Sequence, residues 1–371
     1  MRILDRYILK SFFTNYLLSL FVLMSLYVVL DLFVNFDEFT EAGKPILAVM
    51  RDIGDYYFFN TPLYFAQLSG VITLFAACGT LARLQRANEM TAFLASGTSL
   101  YRLAAPIVLA GLVMNGLLVA NHELLLPQVA AKLARNRDDV AGARTYELWF
   151  VKDGPDRLIS AAQFKPSEQR IRGLYIMELE PGEDGRRHMG DVIRADKAKW
   201  DPVRKGWELT VGKRYRLPDE SSYGRGLEPL TEEAFYASTL TPEDLLLRKM
   251  AQWVNFLSLG QLQELVAREP EKREQVARIR HGRFTAPINN MILLLLGISF
   301  FLNRLPESVL TQGAKSLAVC SASFLIAFIG HQLMGAIGAG ALPDWLEPLP
   351  AWLPIFLFGP VAVVLLDNVK T

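Results

Sequence analysis

The sequence predicts an α-helical polytopic membrane protein of six spans in a three-plus-three layout, with an antiparallel β domain inserted between spans three and four. Three observations predict it. Uncharged stretches at Ser11–Leu30, Tyr56–Ala82, Leu103–Asn121, Phe284–Asn303, Ser316–Pro343 and Pro348–Leu366 each approach the ~20 apolar residues that a ~30 Å hydrocarbon core demands. Most of the charged residues lie between Glu123 and Arg283. Inside that interval the apolar pattern changes to a period of two.

The expected organisation follows. Residues 1–122 form an N-terminal bundle with spans at 11–36, 56–82 and 103–121 and a cytoplasmic coupling helix at 83–100. Residues 123–283 form the inserted domain, β-rich over 146–240 and helical over 241–283. Residues 284–371 form a C-terminal bundle with spans at 284–303, 316–338 and 350–366.

Taken in order, Arg2, Arg6 and Lys10 precede an apolar run that exceeds the roughly 7 to 15 residues of a signal-peptide core and has no small-x-small site after it. It is read as a retained first span. In the short connections, Arg2, Arg6, Lys10, Arg83, Arg86, Arg102, Arg304, Lys315 and Lys370 fall on one side and only Lys44 and Arg51 on the other. The positive side faces the cytoplasm, so both termini are expected there. The insert is then expected in the periplasm of a bacterial inner membrane.

After the third span, Glu123–Thr145 reads as a helical extension. Strands are expected at Glu147–Lys152, Arg157–Phe164, Gly173–Glu180, His188–Trp200 and Gly206–Leu217, separated by Gly- and Pro-containing turns. With no helix between them, they imply an antiparallel sandwich or open barrel. Trp149, Phe150, Trp200, Trp207, Phe235 and Tyr236 supply its aromatic mass. Helix resumes at Thr241-Pro242-Glu243-Asp244, where Pro occupies a first helical position, and leads back to Arg283.

Several functions are excluded. A net charge of +1 without a basic cluster argues against nucleic-acid binding. Cys78 and Cys320 both fall in spans, which leaves the insert without a disulfide. His188 and His281 lack ligand-spaced neighbours, so no metal is expected. Gly313-Ala314-Lys315-Ser316 lacks the first glycine and the Gly-Lys pair of a phosphate loop, and no Gly-x-Ser-x-Gly elbow occurs. No catalytic residue or cofactor is expected, and energy must come from a partner.

The segment Arg83–Arg102 is too polar to span. As a helix it places Leu84, Ala87, Met90 and Leu94 on one side, with Gln85, Arg86 and Glu89 away from them, and Ala95-Ser96-Gly97 ends it. Two readings are open: a helix that receives force from a cytoplasmic partner, or one lying on headgroups with Arg83 and Arg86 at lipid phosphates. His331 lies mid-span, where an ionisable residue is either functional or hydrogen-bonded to a neighbouring helix.

Asn88-Glu89 followed by Ala95-Ser96-Gly97 and Ser99 resembles the coupling-helix motif of the LptF/LptG lipopolysaccharide export permeases. Leu4-Asp5-Arg6-Tyr7-Ile8, Trp149–Lys152, Ala195-Asp196-Lys197-Ala198, Gly206-Trp207-Glu208-Leu209, Thr241–Leu245 with Leu257-Ser258, Pro287 and Trp352-Leu353-Pro354 are similar to that family in the same order, with the start closer to the LptG type. The resemblance implies a permease paired with a homologous six-span subunit and a cytoplasmic ABC ATPase dimer. It implies extraction of lipopolysaccharide or a related glycolipid, and its transfer through a β-jellyroll to a periplasmic bridge protein. Arg86, Asn88, Glu89, Ala95, Ser96 and Gly97 would meet the ATPase, and Asp31, Phe33, Lys44, Arg51 and His331 would line the lipid path. One departure stands out: Asp31 occupies the place where LptG-type members carry a headgroup-binding lysine. Either Lys44 and Arg51 replace it, or the lipid is less anionic, or this is the partner-type subunit, or these are ordinary solvated loop charges.

Two other classes compete. A mechanotransmission subunit would conduct no lipid, and a membrane enzyme would use His331, His122 and Glu123.

Overall fold

The structure, a computed structural model, describes residues 3–40, 45–133, 145–181, 187–216, 229–248, 253–302, 308–336 and 348–369. The chain divides into two compact units, one from Met1–Val34, Thr61–Leu126 and Arg273–Thr371, the other from Asn35–Asn60 and Pro127–Lys272.

The helices are α1 (Ile3–Val34), α2 (Phe36–Thr40), α3 (Ile46–Arg86), α4 (Glu89–Ala95), α5 (Leu100–Ala120) and, after a π turn at Asn121–Leu125, α6 (Leu126–Leu133). Beyond the strands come α7 (Pro242–Arg248), α8 (Leu259–Arg268), α9 (Arg273–Ser299), α10 (Val309–Ala336) and α11 (Leu349–Asp367). Among the described residues five helices are long and apolar enough to cross a membrane: Ile3–Val34, Ile46–Arg86, Leu100–Ala130, Val309–Gly330 and Leu349–Asp367. The stretch expected as the fourth span lies in α9. That helix starts with Arg273, Glu274, Arg278, Arg280 and Arg283, and its uncharged remainder carries Thr285, Asn289 and Asn290, which lowers its hydropathy.

The helical unit centres on Ile8 and Phe12 of α1, Ile72, Leu81 and Leu84 of α3, Met90 of α4, Leu100, Leu103 and Ile107 of α5, and Leu294 and Ile298 of α9. Small residues bring α9 close to its neighbours. A Cβ on Gly111 would lie 2.4 Å from Leu294 Cδ2, and one on Gly297 would lie 2.1 Å from Leu74 Cδ1. Where lipid tails are as apolar as side chains, such close approach supplies the packing. Neutral polar groups add to it: Asn290 Nδ2 donates to Ser69 Oγ at 3.4 Å and to Asn115 Oδ1 at 3.3 Å.

The second unit holds one eight-stranded antiparallel sheet. Its strands are β1 (Tyr146–Lys152), β2 (Arg157–Lys165), β3 (Arg170–Pro181), β4 (Arg187–Asp201), β5 (Gly206–Thr210), β6 (Lys213–Tyr215), β7 (Pro229–Glu232) and β8 (Phe235–Ala237). The expected strand from Gly206 onward is broken at Val211, whose φ is +55°. Both β5 and β6 still pair with β4, and β8 and β7 pair with them in turn. The sheet is therefore a meander whose last two strands are each kinked. Residue 217 lies outside the described residues.

A crease crosses the whole sheet. The buried positions change parity between Ala161 and Phe164 on β2, Ile171 and Leu174 on β3, and Ala195 and Ala198 on β4. On β1 the exposed Trp149 and Phe150 interrupt the pairing between Leu148 and Val151. Phe150 and Gly173 adopt φ values of +51° and +62° there. Because the pairings bring these irregularities to one level, β1 to β4 switch their buried face along the same line, a device that lets a sheet roll up.

Asp153 closes the roll. It follows β1, one end of the strand order, and is only 2% exposed. Yet it accepts hydrogen bonds from Tyr236 Oη on β8 at 2.8 Å, Ser238 Oγ at 2.8 Å, the Thr239 amide at 2.8 Å and the Thr239 hydroxyl. First and last strands thus meet. The return segment starts as expected, with Thr241 and Asp244 capping α7 reciprocally. Arg248 then donates to the Lys152 carbonyl at 2.9 Å and to Glu269 at 2.9 Å, while its guanidinium and the Lys272 ammonium lie 4.8 Å and 4.7 Å from the Trp253 ring centre.

Candidate functional site

The segment expected as one coupling helix is divided. Residues 83–86 complete α3, Ala87 and Asn88 turn, and only Glu89–Ala95 form α4. Asn88 has a φ of +58°. Asparagine is one of the few residues besides glycine that enters this left-handed region readily, which is why the break falls there.

The C-terminal end of α4 is a Schellman stop. The Gly97 amide donates to Leu94 O at 3.0 Å, the Thr98 amide donates to Phe93 O at 3.1 Å, and Gly97 takes a φ of +81° that disfavours a side chain. Ser96 Oγ donates to Phe93 O at 2.7 Å. Ser99 then caps α5, accepting from the Arg102 amide at 3.3 Å. Asn88, Ser96, Gly97 and Ser99 are accordingly explained by how the chain leaves one helix and enters the next.

Two side-chain ties hold this corner to α1. Tyr7 Oη lies 2.8 Å from each carboxylate oxygen of Glu89 and donates to them. Arg102 Nη2 donates to Asp5 at 2.7 Å and 2.9 Å. Tyr101 Oη also donates to Leu366 O of α11 at 2.6 Å. The motif containing Asp5 and Tyr7 is visible in the sequence, but its partners lie some 80 to 100 residues away along the chain. No local pattern announces them.

What α4 exposes is small. Met90 is buried, and Phe93 and Leu94 pack against the helical core. Ala87, Asn88, Thr91, Ala92, Ala95 and Ser96 remain exposed, with Arg86 beside them.

The expected lipid-path residues are scattered. Asp31 is half-buried near the end of α1, and Phe33, two residues on, is 86% exposed. Arg51 belongs to the second unit, where its exposed side chain lies 3.9 Å from Asp55. Lys44 and the side chain of His331 lie outside the described residues, although α10 includes position 331. Nothing described brings these residues together. Glu123, in the π turn, accepts from Arg283 at 3.3 Å, and Trp352 Nε1 donates to His281 Nδ1 at 3.4 Å.

A comparison with known proteins places the chain. No curated protein matches it. Residues 6–368 match the family described as lipopolysaccharide export system permease LptF/LptG, whose members are transport components and not catalysts. With the match running over nearly its whole length, and with apolar helices and a central antiparallel sheet in place, the chain belongs to the LptF/LptG family of lipopolysaccharide export permeases.

Proposed function

We propose that this chain is a permease subunit of an ATP-driven exporter that lifts lipopolysaccharide from the inner membrane into its rolled sheet and onward to a periplasmic bridge. In this reading the chain has six spans, with α9 contributing the fourth, and the excess of Lys and Arg in one set of short connections supports cytoplasmic termini and a periplasmic sheet. A homologous six-span subunit pairs with it, and an ABC ATPase dimer docks at α4.

The observation that carries the docking is the outer face of α4. A helix lying on lipid inserts large apolar side chains between the headgroups. Here Met90, Phe93 and Leu94 turn into the bundle, while Thr91, Ala92 and Ala95 face outward. A shallow surface of small residues, with Glu89 at its rim, supports a protein partner. The departure at Asp31 remains part of the reading: Lys44 and Arg51 are the next cations along the chain on that side, and Phe33 and His331 stay candidates for the lipid path.

Glu89→Ala tests it. Removing a charge-assisted hydrogen bond worth about 1.5–3 kcal/mol weakens retention of the ATPase by about tenfold or more, or uncouples its hydrolysis from lipid release. Tyr7→Phe is the control, since Tyr7 holds Glu89 from inside the chain. Full coupling in Glu89→Ala sinks this role. An equal defect in Tyr7→Phe would reassign Glu89 to fastening α4 on α1.

A further inference from the structure

The exposed face of the sheet carries a row of cations that the fold does not neutralise. Arg172 on β3 stands directly opposite Lys197 on β4, and Arg170 stands opposite Lys199. Ile171 and Ala198, between these pairs, are buried, so the four cations share the other, exposed face. Directly opposed like charges destabilise a sheet.

The acids nearby do not remove the excess. Glu168 is taken up by Lys165 and by Arg170 at 3.5 Å. Its carboxyl is held below the ordinary carboxylate range, first by the Lys165 hydrogen bond and further by Arg170 and Arg172. Glu208 is opposite Lys199 in the register, yet Arg172, Lys197 and Lys199 make no ion pair among the described residues. The flanking cross-strand partners, Gln163 and Thr210, are polar and exposed.

We propose that Arg172, Lys197 and Lys199 bind a phosphate group on the sugar headgroup of the carried lipid; this rests on the exporter reading above. A phosphate brings close to two negative charges and three strong acceptors. The Arg172 guanidinium can engage two of its oxygens, and Lys197 lies across the strand gap at roughly 5 Å between Cβ atoms. Lys199 projects from the same face two residues along β4. A protein partner fits less well, because protein interfaces centre on apolar area and this patch has none. An extended anionic bilayer fits less well too, because Glu168 and Glu208 bracket the cations.

The experiment uses the full chain in detergent at low salt, titrated with a deacylated, doubly phosphorylated glucosamine disaccharide, the same disaccharide without phosphates, and inorganic phosphate. Calorimetry is expected to show binding of the phosphorylated sugar only, weakened at least tenfold in the Arg172→Gln/Lys197→Gln/Lys199→Gln variant. Lys197→Glu, which turns an opposed like pair into an opposite pair, should also lose binding while its melting temperature holds or rises. Equal affinity in the variants overturns the proposal, as does inorganic phosphate binding as tightly as the sugar, or a response to anionic vesicles alone. The readout needs no ATPase, so a Glu89→Ala chain that stays fully coupled removes Glu89 from the docking reading without touching this measurement, and the reverse also holds.

Discussion

The helical unit and the sheet unit bury polar groups in different ways. In the sheet unit two carboxylates, Asp153 and Glu269, are each 2% exposed and are held by several donors or by a close cation. The core of the helical unit uses neutral pairs such as Asn290 with Ser69 and Asn115, together with glycines at helix crossings. The ion pairs described there lie outside that core: Asp5 with Arg102 near the starts of α1 and α5, and Glu123 of the π turn with Arg283, just ahead of the uncharged part of α9. The difference teaches which force builds each unit. Apolar burial from water is strong enough to offset desolvating a carboxylate, provided hydrogen-bond donors or a close cation hold it. Between helices in lipid that force is missing, so close packing and weak hydrogen bonds replace it.

The largest test removes the sheet's fastening. Asp153→Ala leaves the Tyr236, Ser238 and Thr239 donors unmatched and should cost about 3–5 kcal/mol. Hydrogen exchange on the full chain in detergent should show β1 and β8 losing protection while α9 to α11 keep theirs. Simultaneous melting of the helices would erase the distinction between the units.

The helical counterpart is smaller. A Cβ on Gly330 of α10 would lie 2.5 Å from the Pro350 carbonyl oxygen, and backbone cannot swing aside. Gly330→Ala should therefore cost about 1–3 kcal/mol in thermal unfolding. Gly111→Ala should cost less, because its Cβ meets only the end of the Leu294 side chain. Equal effects would mean that crossing distance does not control this unit.

The smallest effect concerns pH. Burial, and next the neighbouring Asp153 carboxylate, raise the Tyr236 phenol above its ordinary value of about 10. Because the folded state favours the protonated form, this contribution is complete below that value and is lost as pH rises through and beyond it. Tyr236→Phe should cost about 1 kcal/mol near neutrality and flatten the alkaline loss relative to the unchanged chain. Parallel alkaline profiles would remove Tyr236 from the fastening.

The site was legible in parts. Ala95-Ser96-Gly97 announces a helix stop, because glycine enters the left-handed conformation that ends a helix, whereas the restart at Ser99 falls inside the helix expected over 83–100. Asn88 does not mark the break by itself, since asparagine is tolerated inside helices as well as in the left-handed turn it forms here. Leu84 and Met90 lie on the inner side that a continuous helix predicts and Ala87 does not, because the turn at Asn88 rotates the faces before and after it. The single strand expected from Gly206 failed at Val211, whose positive φ runs against the preference of a β-branched residue.

What the sequence determined by itself is what local physics controls: apolar lengths that match a bilayer, a period of two in the insert, the helix start at Thr241 and the helix stop at Gly97. The tertiary structure decided the rest. The crease that aligns Phe150, Gly173 and Val211, the closure of β8 on Asp153, and the tie from Tyr7 to Glu89 each join residues distant in the chain. Their energy comes from the pairing itself, and a pattern read along one strand or helix carries no record of the partner it will meet.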